Sequence, residues 1–223
     1  MSPTSTTIAD QVAEMRANPA RPIPGDIAAA FATWVAQLTA AGLPAGAAKP
    51  GHALPDTPML DVHGAPTSLH AATAGLPAVI VFYRGGWCPY CNLALRTYGQ
   101  ELHPALTERD IQLIAVSPQK PDGSLSTQQK NELPFPVLSD PGNALAGELG
   151  ILLPARTKEI RAAQEKIGTD LPTVNADGTE NLPMPTVALI DAEHQLRWID
   201  IHPDYTTRTE VNDILAAVTT ALG

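Results

Sequence analysis

The two cysteines of this 223-residue chain, Cys88 and Cys91, lie three positions apart. They follow an apolar, β-branched run that ends near Phe82, and a Gly-Gly pair separates that run from the cysteines. A strand followed by a helix puts Cys88 near the helix N-cap and Cys91 one turn further along. Backbone N–H groups and the helix dipole stabilise a thiolate there, and a thiolate attacks peroxides and disulfides. The pattern therefore predicts dithiol redox chemistry.

The residues around the cysteines fit this chemistry. Pro89 suits the first helical turn, where its missing N–H costs nothing. Arg84 is a second source of positive charge for a thiolate. We therefore treat Arg84, Trp87, Pro89 and Tyr90 as candidate site-shaping residues, although simple packing is an equal alternative for Trp87.

Two other uses of a Cys-x-x-Cys pair are less favoured. Two cysteines cannot form a four-thiolate zinc site, and none of the six histidines is paired at a short ligand spacing, so we expect no metal and no cofactor. Inert packing is disfavoured because the pair follows a Gly-Gly-Trp break between a strand and a helix.

Composition excludes several classes of function. The net charge is 14 − 23 = −9, so the chain lacks the basic face of a nucleic-acid binder, and an anionic membrane is an unsuitable partner. No run of about 18 apolar residues predicts a membrane span. The N-terminal sequence has no basic start and no apolar core of a secretory signal, which predicts a cytoplasmic protein. In that compartment a Cys-x-x-Cys pair indicates redox use.

We divide the chain into an N-terminal helical arm, residues 1–48, and a domain covering residues 49–223. In the arm, a short helix around Thr7–Ala17 and an amphipathic helix over Gly25–Ala41 flank a link that contains Pro19, Pro22 and Pro24. Residues of about 150–184 look like an insertion that includes a helix over Thr157–Lys166.

In the domain, Ala78–Tyr83 and Ile111–Val116 are continuous apolar runs, which are typical of strands buried on both faces. A helix over Asn92–Arg109, bent at Pro104, joins them into a right-handed βαβ unit.

Towards the C-terminus, the strands Thr186–Ile190 and Gln195–Ile201 are close enough in sequence to pair antiparallel. Thr207 and Glu210 have the spacing of a capping box that would open the final helix.

The chain resembles the AhpC/TSA branch of the thioredoxin superfamily, in particular peroxiredoxin-like proteins with a Trp-Cys-Pro-Tyr-Cys motif. The resemblance covers about residues 50–220 and implies an α/β, thioredoxin-like (peroxiredoxin-type) fold: a central mixed β-sheet flanked by helices, with an N-terminal helical extension. It rests on Pro55-Asp56, Gly64, Leu69, the ten residues from Phe82 to Cys91, Leu138–Pro141, Pro183–Thr186 and Asp204-Tyr205.

The resemblance implies a thiol-dependent peroxidase with an antioxidant role. Hydrogen peroxide or an organic hydroperoxide oxidises Cys91 to a sulfenic acid, Cys88 condenses with it, and an external thiol reduces the disulfide. That reductant is a thioredoxin-like dithiol or a low-molecular-weight thiol, and a homodimer is compatible with the resemblance. When Cys91 is matched to the cysteine that attacks peroxide in this family, Cys88 takes the place of a Thr or Ser three residues earlier and Arg84 that of a Pro seven residues earlier. Pro185 then falls on or beside the family's Arg.

The replacements resemble thioredoxin, which implies other site residues and another order of attack. A thioredoxin-like domain places a cis-proline against the dithiol just before its third strand, so we expect a cis Met184–Pro185 bond, with Pro185 and Thr186 at the site. An ordinary proline at the start of a strand is the alternative. In this comparison Cys88 attacks and Cys91 resolves the mixed disulfide.

Two alternatives to peroxidase activity therefore stay open. One is a thiol–disulfide oxidoreductase that acts on protein or small-molecule disulfides. The other is a non-enzymatic redox sensor or partner-binding module. Peroxide turnover separates a peroxidase from a thiol–disulfide oxidoreductase.

Overall fold

The computed structural model describes residues 6–18 and 23–223 and is built around a seven-stranded mixed sheet in the order β2-β1-β5-β4-β3-β6-β7. Strands β3, β4 and β5 are parallel, and the remaining neighbours pair antiparallel. The strands are β1 Pro58–Leu60, β2 Pro66–Ser68, β3 Ala78–Phe82, β4 Gln112–Ser117, β5 Val137–Ser139, β6 Thr186–Ile190 and β7 Leu196–Ile201.

Helices cover both faces of the sheet. They are α1 Ile8–Ala17, α2 Gly25–Ala41, α3 Leu69–Thr73, α4 Pro89–Thr97, α5 His103–Thr107, α6 Pro121–Lys130, α7 Ala144–Glu148, α8 Lys158–Lys166, α9 Leu171–Val174 and α10 Val211–Leu222. The predicted arm helices and the insertion helix are confirmed, with Thr7 and Thr157 as N-caps of α1 and α8. The predicted link residues Pro19 and Pro22 lie outside the described residues.

The alternation of side chains along β3 explains the two layers of the core. Val79 and Val81 point to the face covered by α1, α4, α5 and α10, while Ile80 and Phe82 point to the face covered by α3 and α7. Successive residues of a strand face opposite sides, so a continuous apolar run is needed when both sides are covered. The predicted α/β fold with a mixed sheet is confirmed.

The helical crossover between β3 and β4 has a different shape from the predicted bent helix. A π-helical turn, Tyr98–Leu102, joins α4 to α5, and the N–H of His103 donates to the carbonyl of Tyr98 five residues back. Pro104 follows directly and has no N–H to continue the α-helical ladder. The wider turn carries the chain past the proline without ending the helical path.

The predicted capping box at the final helix is wrong. Glu210 does precede α10, but its carboxylate accepts the N–H groups of Ile8 (2.9 Å) and Ala9 (2.9 Å), so it caps α1 instead. Thr207 bonds to Nδ1 of His202 at 2.6 Å. The approach of α1 offers Glu210 unpaired donors that the sequence pattern could not reveal.

The predicted cis bond is also wrong: the Met184–Pro185 peptide is trans. The residues before β6 run alongside Ile151–Leu153, with Met184 N–H donating to Ile151 O at 2.7 Å and Leu153 N–H donating to Leu182 O at 2.9 Å. This pairing holds the chain extended into β6, which is the alternative of an ordinary strand-start proline.

The arm and the insertion meet each other. Helix α8 packs against α2, and Lys166 Nζ contacts Asp26 Oδ2 at 2.9 Å. A third apolar cluster joins Trp34 of α2 to Ile160 of α8 and to Tyr205. The two segments therefore form one layer next to the loop that follows β7.

Candidate active site

A tight turn carries the chain from β3 into α4 and requires both glycines of the motif. Gly85 has a φ of +142°, and a Cβ there would lie 2.5 Å from Trp87 Nε1. A Cβ at Gly86 would collide with the hydroxyl of Thr127. The side chain of Gln119, just after β4, accepts the N–H of Gly86 at 2.8 Å. The turn is thus fixed to the neighbouring strand.

The two cysteines occupy the predicted places at the start of α4. Cys88 is the N-cap residue, and its carbonyl accepts the N–H groups of Cys91 (3.1 Å) and Asn92 (3.1 Å). Both thiols are free, and the residues are only 0% and 1% exposed. The dithiol is therefore a buried pair in its reduced form.

Two guanidinium groups contact the sulfurs. Arg84 Nη1 lies 4.0 Å from Cys88 Sγ. Arg208 Nη2 lies 2.8 Å from Cys91 Sγ and 3.9 Å from Cys88 Sγ. Within residues 6–18 and 23–223, neither guanidinium has a carboxylate within 4.0 Å. Because a buried cation requires a compensating charge, the arrangement favours a thiolate in this pair.

Aromatic rings surround the guanidinium of Arg84, which is only 3% exposed. Its central carbon lies 4.1 Å from the ring centre of Tyr205, 4.8 Å from that of Trp87 and 5.9 Å from that of Trp34. The negative faces of aromatic rings attract cations, more strongly where water is excluded. The rings thus offset part of the cost of burying this charge.

The environment separates the pKa values of the two thiols. Burial raises the pKa of Cys88, but the hydrogen bond from the Cys91 thiol and the charges of the two arginines outweigh it and hold the pKa well below its usual range. Burial and that same donated hydrogen bond hold the pKa of Cys91 well above its usual range. These directions favour Cys88 as the thiolate of the reduced pair and Cys91 as the thiol that donates to it, although the shortest guanidinium contact, 2.8 Å, is to Cys91 Sγ.

The lower pKa of Cys88 predicts how the rate of its alkylation depends on pH. In Cys91→Ser protein, we expect iodoacetamide to alkylate Cys88 faster at pH 7 than it alkylates a free cysteine, because the introduced hydroxyl replaces the thiol as donor and the two guanidinium groups hold the pKa of Cys88 below the value of about 8.5 for free cysteine. A free cysteine is only about a few per cent thiolate at that pH. The same protein unfolded in denaturant is the control and should titrate like free cysteine. A folded protein that titrates likewise would contradict the assignment.

A cleft of about 500 Å³ reaches Cys88. Its walls are mostly apolar, and Ile23 and Ile167, two large apolar side chains that are 54% and 48% exposed, lie on it. Cys88 and Arg84 belong to the lining, whereas Cys91 does not. The lining also includes Phe31, Val35, Pro89, Tyr90 and Tyr205.

The loop that carries Arg208 is fixed on both sides. Thr207 is held by His202, and the carbonyl of Thr209 accepts the hydroxyl of Tyr98 at 2.6 Å. The Arg208 side chain also donates to the carbonyl of Tyr205 at 2.8 Å. These contacts keep the guanidinium at the sulfurs.

The structure brings most of the predicted residues together. Arg84, Trp87, Pro89 and Tyr90 all line the cleft. Pro185 and Thr186 are buried at the start of β6, and in the described part of the chain neither hydrogen-bonds to a cysteine: the Pro185 carbonyl accepts the N–H of His202, and the Thr186 hydroxyl donates to Met184.

Sequence reasoning missed Arg208, Gln119 and Trp34 as parts of the site. Arg208 stands three residues after Asp204-Tyr205, a pair on which the family resemblance rests. That closeness in sequence is a weak indication that Arg208 belongs to the site. Trp34 is an apolar residue of the amphipathic helix Gly25–Ala41, and that pattern predicts only that it is buried. Gln119 follows the second buried strand, and nothing in its local sequence distinguishes it from an ordinary loop residue.

Among the described residues, no cluster of three His, Cys, Asp or Glu side chains could hold a metal ion. Within the same part of the chain, every helix is too short or too polar to cross a membrane.

A dithiol at the junction between a central strand and its helix, in a mixed sheet of this order, defines a thioredoxin-like redox fold. Residues 50–199 match the model of the AhpC/TSA family. The chain therefore belongs to the AhpC/TSA family, the family of thiol-dependent peroxidases called peroxiredoxins. The arm helices α1 and α2 precede the matched residues.

Solved peroxiredoxin structures share this fold. Peroxidoxin BcpB from Mycobacterium tuberculosis is 16% identical, with a TM-score of 0.58 over 78% of this chain and 96% of that one. PrxQ from Xylella fastidiosa is 13% identical, with a TM-score of 0.60 over 78% and 98%. AhpC from Enterococcus faecalis is 14% identical, with a TM-score of 0.58 over 78% and 92%. Among curated protein sequences, none is significantly similar to this chain.

Proposed function

We propose that this protein is a thiol-dependent peroxidase in which Cys88 attacks the peroxide and Cys91 resolves the product. The observation that carries the proposal is a buried dithiol next to two guanidinium groups without carboxylate partners in the described chain, opening into an apolar cleft. Family membership supports peroxidase chemistry. The arginines supply the positive charge that such a site needs.

The reaction needs no group beyond the dithiol and an external reductant. The Cys88 thiolate attacks one peroxide oxygen, the O–O bond breaks, and the alkoxide leaves and takes up a proton to become an alcohol. Cys88 is then a sulfenic acid. The Cys91 sulfur attacks it, a disulfide forms, and water leaves. An external thiol, either a thioredoxin-like dithiol or a small thiol, returns two electrons and restores the pair.

Two observations favour Cys88 over the Cys91 implied by the peroxiredoxin alignment. Cys88 lines the cleft, and its pKa is the lower of the two. The resemblance also places Pro185 on or beside the position of the family's arginine. In our proposal Arg208 and Arg84 take that charge role from other positions in the chain.

The cleft favours organic hydroperoxides over hydrogen peroxide. Binding sites for small organic molecules are concave and mostly apolar, with a few polar groups that fix orientation. Here the polar lining includes Arg84 beside Cys88, and the apolar lining includes Phe31, Val35 and Ile167. Hydrogen peroxide gains nothing from that apolar surface.

A charge at the rim of the cleft should therefore change substrate preference. We expect Ile167→Glu to lower kcat/KM for cumene hydroperoxide by about threefold to tenfold, the scale of losing part of a buried apolar side-chain contact, and to leave hydrogen peroxide turnover unchanged. Ile167 is 48% exposed, so the fold tolerates the change. Leu43→Glu is the matched control, since Leu43 is 58% exposed and lies away from the cleft. Equal effects on both peroxides would count against the cleft as the substrate site.

The central test is rapid mixing of reduced protein with cumene hydroperoxide or hydrogen peroxide, followed by the fluorescence of Trp87 and the other tryptophans. We expect oxidation orders of magnitude faster than that of a free thiol at the same pH. A rate equal to that of a free thiol for both peroxides would remove peroxidase activity from consideration.

A thiol–disulfide oxidoreductase is the second candidate, favoured by the low pKa of the N-terminal cysteine of the pair. Its substrates would be protein or small-molecule disulfides that reach Cys88 through the cleft. Faster oxidation by a small disulfide than by either peroxide would favour it. A cytoplasmic location and an antioxidant role belong to the peroxidase proposal.

A further inference from the structure

Trp34 connects the N-terminal arm to the dithiol. It lies in α2, before the residues that match the family, and is only 3% exposed. Its ring centre is 5.2 Å from that of Tyr205 and 5.9 Å from the guanidinium carbon of Arg84. A residue outside the family domain thus packs against a charge that faces Cys88.

Few contacts fix the position of the Arg84 guanidinium. Its Nε is buried and has no hydrogen-bond partner in the described chain, and Nη1 reaches Cys88 Sγ only at 4.0 Å. Three aromatic faces supply the remaining contacts. Because an arginine side chain has many rotamers, those faces decide how close the charge stays to the sulfur.

The other surroundings of Trp34 show what its loss would allow. Trp34 also lines a cavity of about 90 Å³, together with Arg156 and Glu180. A smaller side chain at position 34 would enlarge this space and give Arg84 room to turn from the sulfur. The distance between the guanidinium and Cys88 would then increase, and Coulomb attraction falls with distance.

We propose that Trp34 is a positioning residue that makes the N-terminal arm part of the active site: it holds the Arg84 guanidinium beside Cys88 and so increases the reactivity of that thiolate. The inference rests on the proposed role of Cys88 as the attacking sulfur. It assigns to the arm a function that the family domain alone does not supply.

The other groups around Cys88 come from elements other than α2. In the Cys91→Ser background the introduced hydroxyl takes the position of the Cys91 thiol on α4, and the charge of Arg208 comes from the loop before α10. Tyr205 is a neutral phenol, since burial raises its pKa above the usual range. The charged groups on the wall of the cleft are Arg16, Arg84 and Asp204. Arg84 is a charged group that lies against both Trp34 and Cys88, so a shift of the Cys88 profile that Trp34→Leu produces and Leu38→Ala does not is attributed to Arg84.

The test measures the pH profile of iodoacetamide alkylation of Cys88 in full-length Cys91→Ser protein, with Trp34→Leu or Trp34→Phe added. We expect Trp34→Leu to shift the profile to higher pH and to slow alkylation below the midpoint by about fivefold or more, the scale of a lost desolvated cation–π contact. Trp34→Phe, which keeps an aromatic face, should give an intermediate profile.

Leu38→Ala is the matched control. Leu38 is one turn further along α2, is 3% exposed and packs in the same apolar cluster without contacting Arg84. We expect it to lower thermal stability but to leave the Cys88 profile unchanged. Equal profiles for all three variants, or a shift with Leu38→Ala as large as with Trp34→Leu, would overturn the proposal.

Alkylation is measured without peroxide, so its result tests the positioning role of Trp34 independently of peroxidase activity. A Trp34-dependent profile in a protein without peroxide turnover would keep this inference and remove the peroxidase. Rapid peroxide turnover with an alkylation profile that does not depend on Trp34 would support the peroxidase and overturn the role proposed for Trp34.

Discussion

Cys88→Ser protein is expected to lose peroxide reduction, by at least roughly 10³-fold, because removing the nucleophile removes the covalent step itself. The remaining thiol, Cys91, is buried, lies off the cleft and has a pKa held well above its usual range, so it is a poor substitute. The measurement is the second-order rate of oxidation by cumene hydroperoxide in single-turnover mixing. The same variant should also lose rapid alkylation by iodoacetamide.

Cys91→Ser protein is the matched variant and should behave differently. Attack by Cys88 remains, but no neighbouring thiol is present to condense with the sulfenic acid. We expect one rapid turnover and then a sulfenic acid that dimedone traps on Cys88. Trapping on Cys91 in Cys88→Ser protein, with a rapid rate, would instead support the order of attack that the peroxiredoxin alignment implies.

The second large effect is expected for Arg208→Met. This change removes the guanidinium that lies 2.8 Å from Cys91 Sγ and 3.9 Å from Cys88 Sγ, while keeping much of the apolar stem. We expect peroxide oxidation to slow by about 10²-fold, as when one preorganised donor is removed from an active site. Removing a nearby cation also destabilises the thiolate, so the pH profile of Cys88 alkylation should shift to higher pH.

Arg197→Met is a suitable control for the loss of an arginine. Arg197 is 47% exposed in its side chain and faces Asp191 at 3.6 Å, away from the cleft. We expect unchanged oxidation rates in this variant. If Arg208→Met protein is oxidised by peroxide as fast as the unsubstituted protein, and its pH profile of Cys88 alkylation is unchanged, the guanidinium plays no part in the reaction.

The positive charge at the sulfurs comes from different chain positions than the family resemblance implies. The family resemblance places an arginine where this chain has Pro185, a residue that here serves as the start of β6. The sulfurs instead receive Arg208 from the loop after β7 and Arg84 from the turn after β3. Both positions bring a guanidinium to the same end of the sheet.

Local sequence patterns determined most of the fold and the place of the dithiol. The apolar run at Ala78–Phe82 and the glycines after it predict a buried strand that ends in a turn. Pro89 predicts the first turn of a helix, so Cys88 falls at the N-cap. The helices Gly25–Ala41 and Thr157–Lys166 follow from spacing and capping residues. These features depend on neighbours within a few positions, which is the range that a sequence pattern covers.

Only the tertiary structure decided which side chains meet at the sulfurs. Arg208 lies 117 positions from Cys91 in the chain, and the two are brought together by the loop that follows β7. Glu210 has the right spacing for a local capping box, yet it caps α1, since that helix presents free N–H groups to it. Trp34 reaches Arg84 because α2 docks beside α8. Electrostatic and packing contacts depend on distance in space, and sequence separation does not encode it.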